Sequence, residues 1–453
     1  MASTQLDRLA REDERILELE HGSVVGHTCK VLIVDGVLTA DEVRAAVAPR
    51  LDAAPRLRQR LQPLPRGLGT PVWVPASDFD LKWHVADAAA VPDESALRES
   101  VAALMADRLD RTRPLWRIDV VQLGDDRTAL VWRVHHCMAD GVTALRLGGD
   151  VLWEEEGVAA RPTATERPQQ AGHLEPGSLV TLAARERVDA ALARARAAIT
   201  EVRAAARLRD ALPDVRAVAS SVRRELTPTT LSSPFDAPLG RRRSIAWTSL
   251  SLARLHDAAK RIDASVTLND AVIALVATGI RDWLTSRQRS VPALRVRIPV
   301  SLHGSDATGD QANRDSFIDI DVPLGAESIF DRVKAVNAQT LERKREHDAE
   351  HVDWLLREMS RVPLGGHALA LTDGSHEFAL CVSNVPGPRG GIAVAGRGVQ
   401  QLHSVVEVAP HHDLRASVVS SAGRLSFAMC ADADRLDPNQ VVGGIEMAAA
   451  QLQ

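Results

Sequence analysis

The sequence predicts an α/β protein built as two lobes joined by a helical segment. Its 453 residues exceed what one hydrophobic core usually holds, which favours two structural units. Strand-like and helix-like segments alternate over residues 1–155 and again from Ser244 onwards, as in α/β folds. We therefore divide the chain into an N-terminal lobe, 1–155, a linker with an Ala- and Arg-rich helical segment, 156–243, and a C-terminal lobe, 244–453.

Apolar runs bounded by turn residues define the elements of the N-terminal lobe. The predicted strands are Thr28–Val34, Trp116–Leu123 and Thr128–Val134, and the predicted helices are Thr39–Leu51, Leu97–Leu109 and Val142–Val151. In the C-terminal lobe, Ala271–Ile280 is an apolar run that predicts a buried helix, and Arg415–Ser420 predicts a strand.

Composition excludes several classes of protein. The chain has no Tyr, so Tyr cannot serve as a general acid or nucleophile, and aromatic stacking of bases is disfavoured. A net charge of −5 argues against nucleic acid as the main partner. The four Cys form no C-x-x-C pair, so no metal site is expected and a reducing setting fits.

The sequence gives no signal for export or membrane insertion. The N-terminus lacks the basic and then apolar pattern of a signal peptide. No apolar run reaches the length of about 18 residues that a membrane-spanning helix needs. We therefore expect a cytoplasmic protein.

The strongest candidate site is the segment His135-His136-x-x-x-Asp140-Gly141, which follows the apolar strand Leu130–Val134. Successive side chains of a strand point to opposite faces, so one His is expected to be buried support and the other to project into a site. Gly141 permits a tight turn into the next helix, with Asp140 at that turn. A structural His pair is the alternative interpretation, and the Asp-Gly spacing favours the catalytic one.

The chemistry of this segment suits acyl transfer to an alcohol. A neutral imidazole can take the hydroxyl proton as the oxygen attacks a thioester. The competing G-x-S-x-G, H-E-x-x-H and P-loop motifs are absent from the sequence. A second pair, His411-His412-Asp413, lacks the following Gly and is the weaker candidate.

The His motif resembles that of a superfamily containing chloramphenicol acetyltransferase, condensation domains of peptide synthetases and polyketide-associated acyltransferases. Further blocks narrow the resemblance to bacterial wax ester synthase/diacylglycerol acyltransferases. These blocks are Pro55–Leu61, Gly69–Trp73, Phe79–Val85, Leu109–Trp116, Val266–Val272, Arg297–Leu302 and Ser383–Pro388. They occur in order from about residue 5 to residue 437.

The resemblance implies two chloramphenicol-acetyltransferase-like lobes with an active-site tunnel at their interface. It implies transfer of a long-chain acyl group from acyl-CoA to diacylglycerol or to a long-chain alcohol, giving triacylglycerol or wax ester, without a cofactor. By carry-over His136 is the base, His135 supports it, Asp140 is structural, and Arg58 is the candidate partner of Asp140.

Other blocks supply candidates for the lining of the tunnel. Asn269 and Asp270 either cap a helix that runs to Leu284 or act in the site directly. The remaining candidates are Pro114, Leu115 and Trp116, which favour packing near the tunnel, and Ser383 and Asn384, in a turn that lines the tunnel or bridges the lobes.

The segment from Arg185 to Arg224 carries ten Arg and five acidic residues. It fits a solvated amphipathic helix, and it also fits contact with an anionic membrane or lipid-droplet surface.

Two alternative functions remain open from the sequence. One is transfer from a carrier-protein thioester, and the other is lipid binding without catalysis.

Overall fold

The computed structural model describes residues 6–65, 68–157, 177–188, 231–301, 315–326, 328–346 and 378–453. Most of the predicted linker and helical segment, 156–243, lies outside this part of the chain. Residues 177–188 are helical, in agreement with the start of that segment.

The described helices are α1 Arg11–Leu19, α2 Ala40–Val47, α3 Leu81–His84, α4 Glu94–Leu104, α5 Gly141–Val151, α6 177–188, α7 Leu252–Ile262, α8 Leu268–Ser286, α9 Ile329–Arg345 and α10 Pro438–Leu452, with 3-10 turns at Ala48–Ala53 and Pro55–Arg58. The strands are β1 His27–Asp35, β2 Gln59–Gln62, β3 Val72–Pro75, β4 Val85–Asp87, β5 Trp116–Leu123, β6 Arg127–His135, β7 Glu154–Glu155, β8 Arg243–Ser251, β9 Ala293–Ser301, β10 Asp315–Pro323, β11 Leu380–Val385, β12 Ile392–Val394, β13 Arg397–Val406, β14 Leu414–Ser421 and β15 Arg424–Asp432.

Two large mixed sheets organise these elements. The first has the strand order β4-β5-β6-β1-β13-β12-β7, and the second has the order β10-β9-β11-β14-β15-β8. The predicted α/β class with two lobes is confirmed. The lobes are interleaved, because β12 and β13 come from the C-terminal part of the chain yet pair into the first sheet. The lobe boundaries at residues 155 and 243 stay a prediction.

Three strands of the first sheet, β1, β5 and β6, were predicted and agree closely with the prediction, whereas two predicted helices end too late. Pro49 has no N–H for an α-helical hydrogen bond, so the helix from Ala40 gives way to a 3-10 turn after Val47. Helix α4 ends at Leu104, five residues before the predicted end. Beyond it, Arg108 donates to the carbonyls of Val24 and Gly22, which holds the chain after α4 against the turn before β1.

The core of the second lobe is built around α8, which is buried from Asp270 to Ile280. This confirms the predicted buried helix. Close packing with α10 depends on glycine, since a β-carbon on Gly279 would lie 2.3 Å from the carbonyl oxygen of Val441. Within the part of the chain that the structure describes, no helix has both the length and the apolar character required to cross a membrane.

Candidate active site

The end of β6 sends the two histidines of the motif to opposite faces of the first sheet. His135 pairs with His27 of β1, and the N–H of His136 donates to the carbonyl of Gly26 at 2.9 Å. His136 therefore lies on the face of Val134 and Trp132, and His135 on the face of Arg133. This is the arrangement that strand alternation predicts.

His135 is fully buried and held at both ring nitrogens. Its Nδ1 accepts the N–H of Cys137 at 3.2 Å, so Nε2 carries the proton and donates to Glu20 Oε2, also at 3.2 Å. Glu20 in turn pairs with Arg111 and lies 3.7 Å from Arg108. The ring of His135 is thus fixed in one tautomer, and this His is the buried support of the pair.

His136 is half-buried, and its backbone alone is fixed by the strand. Burial lowers the pKa of its imidazole to about 3, with smaller contributions from the charges of His135, Lys30 and Arg415. The ring is therefore neutral near pH 7. A neutral imidazole has an unprotonated nitrogen that can accept a proton from a substrate hydroxyl.

Asp140 caps helix α5. Its Oδ1 accepts the N–H of Thr143 at 2.6 Å, while Oδ2 is buried and accepts no hydrogen bond from the described residues. The charge of Asp140 acts on Lys30, a buried residue of β1 whose Nζ donates to Ser404 Oγ at 2.6 Å. Burial lowers the pKa of the Lys30 ammonium group to about 8, and Asp140 opposes that shift.

The prediction that Arg58 pairs with Asp140 is wrong. Arg58 ends a 3-10 turn, and its half-exposed guanidinium lies 3.5 Å from Asp52 and over the ring of Phe79. A sequence signal for Lys30 was available but missed. A lysine inside the apolar run from Cys29 to Val34 marks a charge that is buried with a specific partner.

Pro114, Leu115 and Trp116 pack against the start of the motif, and their place near a substrate tunnel stays a prediction. All three are buried, and the carbonyl of Leu115 accepts the N–H of His135 at 3.0 Å. The indole N–H of Trp116 donates to Leu57 at 2.8 Å, and its ring stacks on His84 with centroids 4.4 Å apart. This block fixes β5 against β6 and so supports the position of the His pair.

Asp270 is the third helical residue of α8 and forms a capping box with Thr267. Its carboxylate also accepts hydrogen bonds from Asn337 at 2.9 Å and Thr340 at 2.7 Å, which join α8 to α9. The capping interpretation therefore holds for Asp270. Asn269 instead faces β11, where its Oδ1 accepts the Nδ2 N–H of Asn384 at 3.2 Å.

The end of β11 brings the second lobe to the motif. A β-carbon on Gly141 would lie 3.0 Å from Cγ2 of Val385, the residue after Asn384. Ser383 pairs in register with Ser417 of β14. The structure thus brings Gly141 of the motif to the end of β11, where Asn384 is hydrogen-bonded to Asn269 at the start of α8.

A groove of about 1210 Å³ runs beside this junction. It lies between α5 and the chain that follows β11, with Val142, Leu145, Trp153, Pro386 and Ile392 among its apolar lining. Val142 comes two residues after Asp140 and is 40% exposed. The groove therefore gives an apolar ligand a surface within one helical turn of the motif.

The second His pair serves the structure. His411 is half-exposed, and its Nδ1 lies 2.6 Å from Asp236 Oδ1. His412 is buried and stacks on Phe378 with centroids 4.1 Å apart. These contacts tie the chain before β8 and β11 to the turn between β13 and β14.

Comparison with known proteins identifies the class. The model of the wax ester synthase/diacylglycerol acyltransferase catalytic domain matches residues 9–272, and the model of the C-terminal domain of the same family matches residues 311–453. The chain belongs to this family. The predicted enzyme class, an O-acyltransferase, is confirmed.

Relatives at about 30% identity support the same assignment. A Mycobacterium tuberculosis protein named "Probable diacyglycerol O-acyltransferase tgs1" is 30% identical over 425 residues, which are 90% of this chain and 87% of that protein. A second M. tuberculosis relative, named "Putative diacyglycerol O-acyltransferase Rv3087", is 29% identical over 453 residues, which are 94% of this chain and 92% of the relative.

Solved structures share the fold. The wax ester synthase/diacylglycerol acyltransferase from Marinobacter aquaeolei VT8 superimposes with a TM-score of 0.67 at 20% identity, over 99% of this chain and 98% of that one. A starter condensation domain of rhizomide synthetase, solved with C8-CoA and Leu-SNAC, gives a TM-score of 0.58 at 14% identity, over 99% and 93%.

Proposed function

We propose that the chain transfers a long-chain acyl group from acyl-CoA to diacylglycerol or to a long-chain alcohol, with His136 as the general base. The observation that carries this proposal is the His pair itself. One imidazole is locked in the core by Glu20, and the other is neutral, half-buried and within reach of the charge of Arg415 of β14. The products would be triacylglycerol or a wax ester.

The reaction needs no covalent enzyme intermediate. The acceptor hydroxyl gives its proton to His136 as its oxygen attacks the thioester carbon, and a tetrahedral oxyanion forms. The carbonyl then re-forms, the C–S bond breaks, and the CoA thiolate leaves and takes the proton from the imidazolium. Acyl-CoA enters as a substrate, so this chemistry requires no cofactor.

The other motif residues position His136 in this proposal. His135 and Asp140 are not in contact with the reacting atoms: His135 fixes the loop through Glu20 and Cys137, and Asp140 caps α5. Asn269, Ser383 and Asn384 are proposed to line the path of the substrate at the lobe junction, because the Asn269–Asn384 hydrogen bond bridges α8 and β11 there.

The nature of the substrates is supported by the names of the relatives and by the groove, whose lining has both apolar and charged side chains. Binding pockets for ordinary small molecules measure about 300–1,000 Å³, and this groove, at about 1210 Å³, exceeds that range. Such a volume suits a long acyl chain. We place the enzyme in the cytoplasm, meeting lipid substrates at the surface of a membrane or lipid droplet.

The test is release of CoA from palmitoyl-CoA, with diacylglycerol and hexadecanol supplied separately. The wild type is expected to release CoA only with an acceptor present, and His136→Ala to lower the rate by about 10²–10⁴-fold. His256→Ala is the matched control, because His256 lies on α7 with its side chain 50% exposed. Unchanged turnover in His136→Ala would disprove the assignment of the base, and turnover confined to carrier-bound acyl groups would disprove the donor.

A further inference from the structure

The turn that leads into β1 is held by a carboxylate from the far end of the chain. Glu407 follows β13, is 7% exposed, and accepts the N–H groups of Val25 and Gly26, each at 2.5 Å. A carboxylate that accepts two consecutive backbone N–H groups fixes the orientation of both peptide planes. Glu407 therefore sets the geometry of the backbone at Val25 and Gly26.

Gly26 touches both histidines of the motif. Its carbonyl accepts the N–H of His136 at 2.9 Å, and a β-carbon at this position would lie 2.6 Å from Nε2 of His135. Its φ of +71° is in the left-handed region, which a residue with a side chain rarely adopts. A shift of this turn would move the backbone of His136 and would also push against the ring of His135.

From these contacts we propose that Glu407 is a positioning residue for His136. Its two hydrogen bonds fix the peptide of Gly26, whose carbonyl accepts the N–H of His136 at the end of β6. In this way Glu407 sets the orientation of the His136 imidazole. The inference rests on the proposed role of His136 as the base. It adds a residue from the C-terminal part of the chain that lies outside the His motif.

The ionised form of Glu407 suits this task, because a protonated carboxyl group offers one good acceptor and the anion offers two. Burial raises the pKa of Glu407 to about 7, although the two backbone hydrogen bonds and the nearby Arg243 and Arg415 each lower it. The groups facing the carboxyl are Arg243 of β8 at 3.9 Å, Arg415 of β14 and Cys430 of β15. The hold of Glu407 on the backbone of Val25 and Gly26 should therefore weaken as the pH falls below about 7.

This gives a readout that a purely structural role would not move. The pKa of His136 is about 3, so its own titration lies well below neutral pH. Lys30, whose pKa is about 8, also titrates near this range, but its titration is present in the wild type and in Glu407→Gln alike. A decline in kcat between pH 8 and pH 6 that the wild type shows and Glu407→Gln lacks would therefore report Glu407. In Glu407→Gln, which mimics the protonated carboxyl, kcat should lack this decline and stay at the low level that the wild type approaches in acid.

The experiment measures kcat and KM for acyl-CoA from pH 6 to pH 8 in the wild type, Glu407→Gln, His136→Ala and Glu446→Gln. At pH 8 we expect Glu407→Gln to lose at least tenfold in kcat, with KM within about twofold of wild type. A loss of this size is reasonable, because a misplacement of about 1 Å costs roughly 10²-fold in rate. Glu446→Gln is the matched control, since Glu446 accepts one hydrogen bond from Thr248 at the surface and should behave as wild type.

The outcomes separate this inference from the proposed function. A Glu407→Gln enzyme with wild-type kcat, or with the wild-type pH dependence, overturns the positioning role if His136→Ala is inactive. Turnover by His136→Ala overturns the proposed base instead. Should Glu407→Gln fail to fold, hydrogen exchange of the wild type decides: the protection factors of the Val25 and Gly26 amides should fall as the pH drops through 7, and constant protection contradicts the inference.

Discussion

Cγ2 of Val385 lies 3.0 Å from the position that a β-carbon on Gly141 would occupy. This approach joins the first helical residue of α5 to the end of β11, and so joins the His motif to the second lobe. Gly141 is required there for space and not for backbone conformation, since its φ is not in the left-handed region.

Gly141→Ala should therefore separate α5 from β11. Overpacking of this kind costs about 1–3 kcal/mol, and we expect the free energy of unfolding to fall by an amount within that range, with kcat about tenfold lower. Gly149→Ala in the same helix is the control, because its β-carbon would meet only Trp153 Nε1 at 3.6 Å. The control should gain roughly 0.5–1 kcal/mol from helix propensity. Equal behaviour of the two variants in denaturant unfolding and turnover would contradict this reasoning.

Glu20→Gln should destabilise the support of the His pair in a pH-dependent way. Burial by itself raises the pKa of Glu20, but hydrogen bonds and charge from His135 and Arg111 lower it overall. The stability that Glu20 contributes is present above its unfolded pKa of about 4.5 and is lost as the pH falls through the lower folded value.

We expect Glu20→Gln to cost about 1–3 kcal/mol at pH 7, and the difference from wild type to shrink as the pH falls below 4.5. The measurement is urea unfolding at pH 7, 5 and 3.5. Glu18→Gln, at an exposed position of α1, should match the wild type at each pH. A difference that is independent of pH would show that the charge of Glu20 is not involved.

Buried neutral histidines should make the protein labile in mild acid. Burial lowers the pKa of the side chains of His27, His84, His135, His136 and His403. The unfolded chain takes up protons below a pH of about 6.5, while the folded chain does not, so stability falls as the pH drops below that value. Each such His contributes up to about 1.36 kcal/mol per pH unit.

His403 allows this prediction to be tested at one site, because burial lowers its pKa to about 3. The slope of unfolding free energy against pH, measured from pH 6 to pH 4.5, should decrease by about one proton in His403→Gln. His256→Gln, at an exposed site, should leave the slope unchanged. An equal slope in all three proteins would mean that His403 is protonated in the folded state.

Asp270→Asn should lower stability far more than the same change in an exposed capping box. Asp270 is 1% exposed and accepts hydrogen bonds from Thr267, Asn337 and Thr340, so an amide nitrogen in its place would face donors. We expect a loss of about 3 kcal/mol in denaturant unfolding. Asp331→Asn changes the corresponding position of α9, which is exposed, and should cost about 0.5 kcal/mol. A similar cost for both would show that the buried network contributes nothing.

The parts of this fold that follow from local pattern could be predicted from the sequence. β5 is found at the predicted residues, and β6 differs by one residue at each end, because strand alternation and turn residues are local signals. The full burial of His135 and the partial exposure of His136 also follow from alternation. Contacts between distant segments have no such signal. Glu20 lies in an acidic N-terminal stretch that gives no indication of its contact with His135.

The wrong assignment of Arg58 as the partner of Asp140 also arose because contacts between distant segments leave no local signal in the sequence. Resemblance supplied the expectation of a cation near Asp140, and Arg58 was chosen from a matching block. Strand pairing is the missing information, because it places Lys30 of β1 opposite Trp132 of β6, close enough to Asp140 for the two charges to interact. Sequence pattern gives the strands but not their neighbours, and the side chains that share a face depend on the neighbours.

Strand β13 has a consequence for how the protein is made. Its pairing with β1 and the Glu407 contact to Val25 join residues as much as 382 positions apart. Contacts of such high order form slowly, and chains of this size expose unpaired strand edges before they close. On the ribosome, β1 must wait as an open edge until residue 407 has emerged. Both histidines are therefore synthesised long before the strand that completes their surroundings. We expect the nascent chain to depend most on chaperones between the emergence of β1 and the emergence of β13.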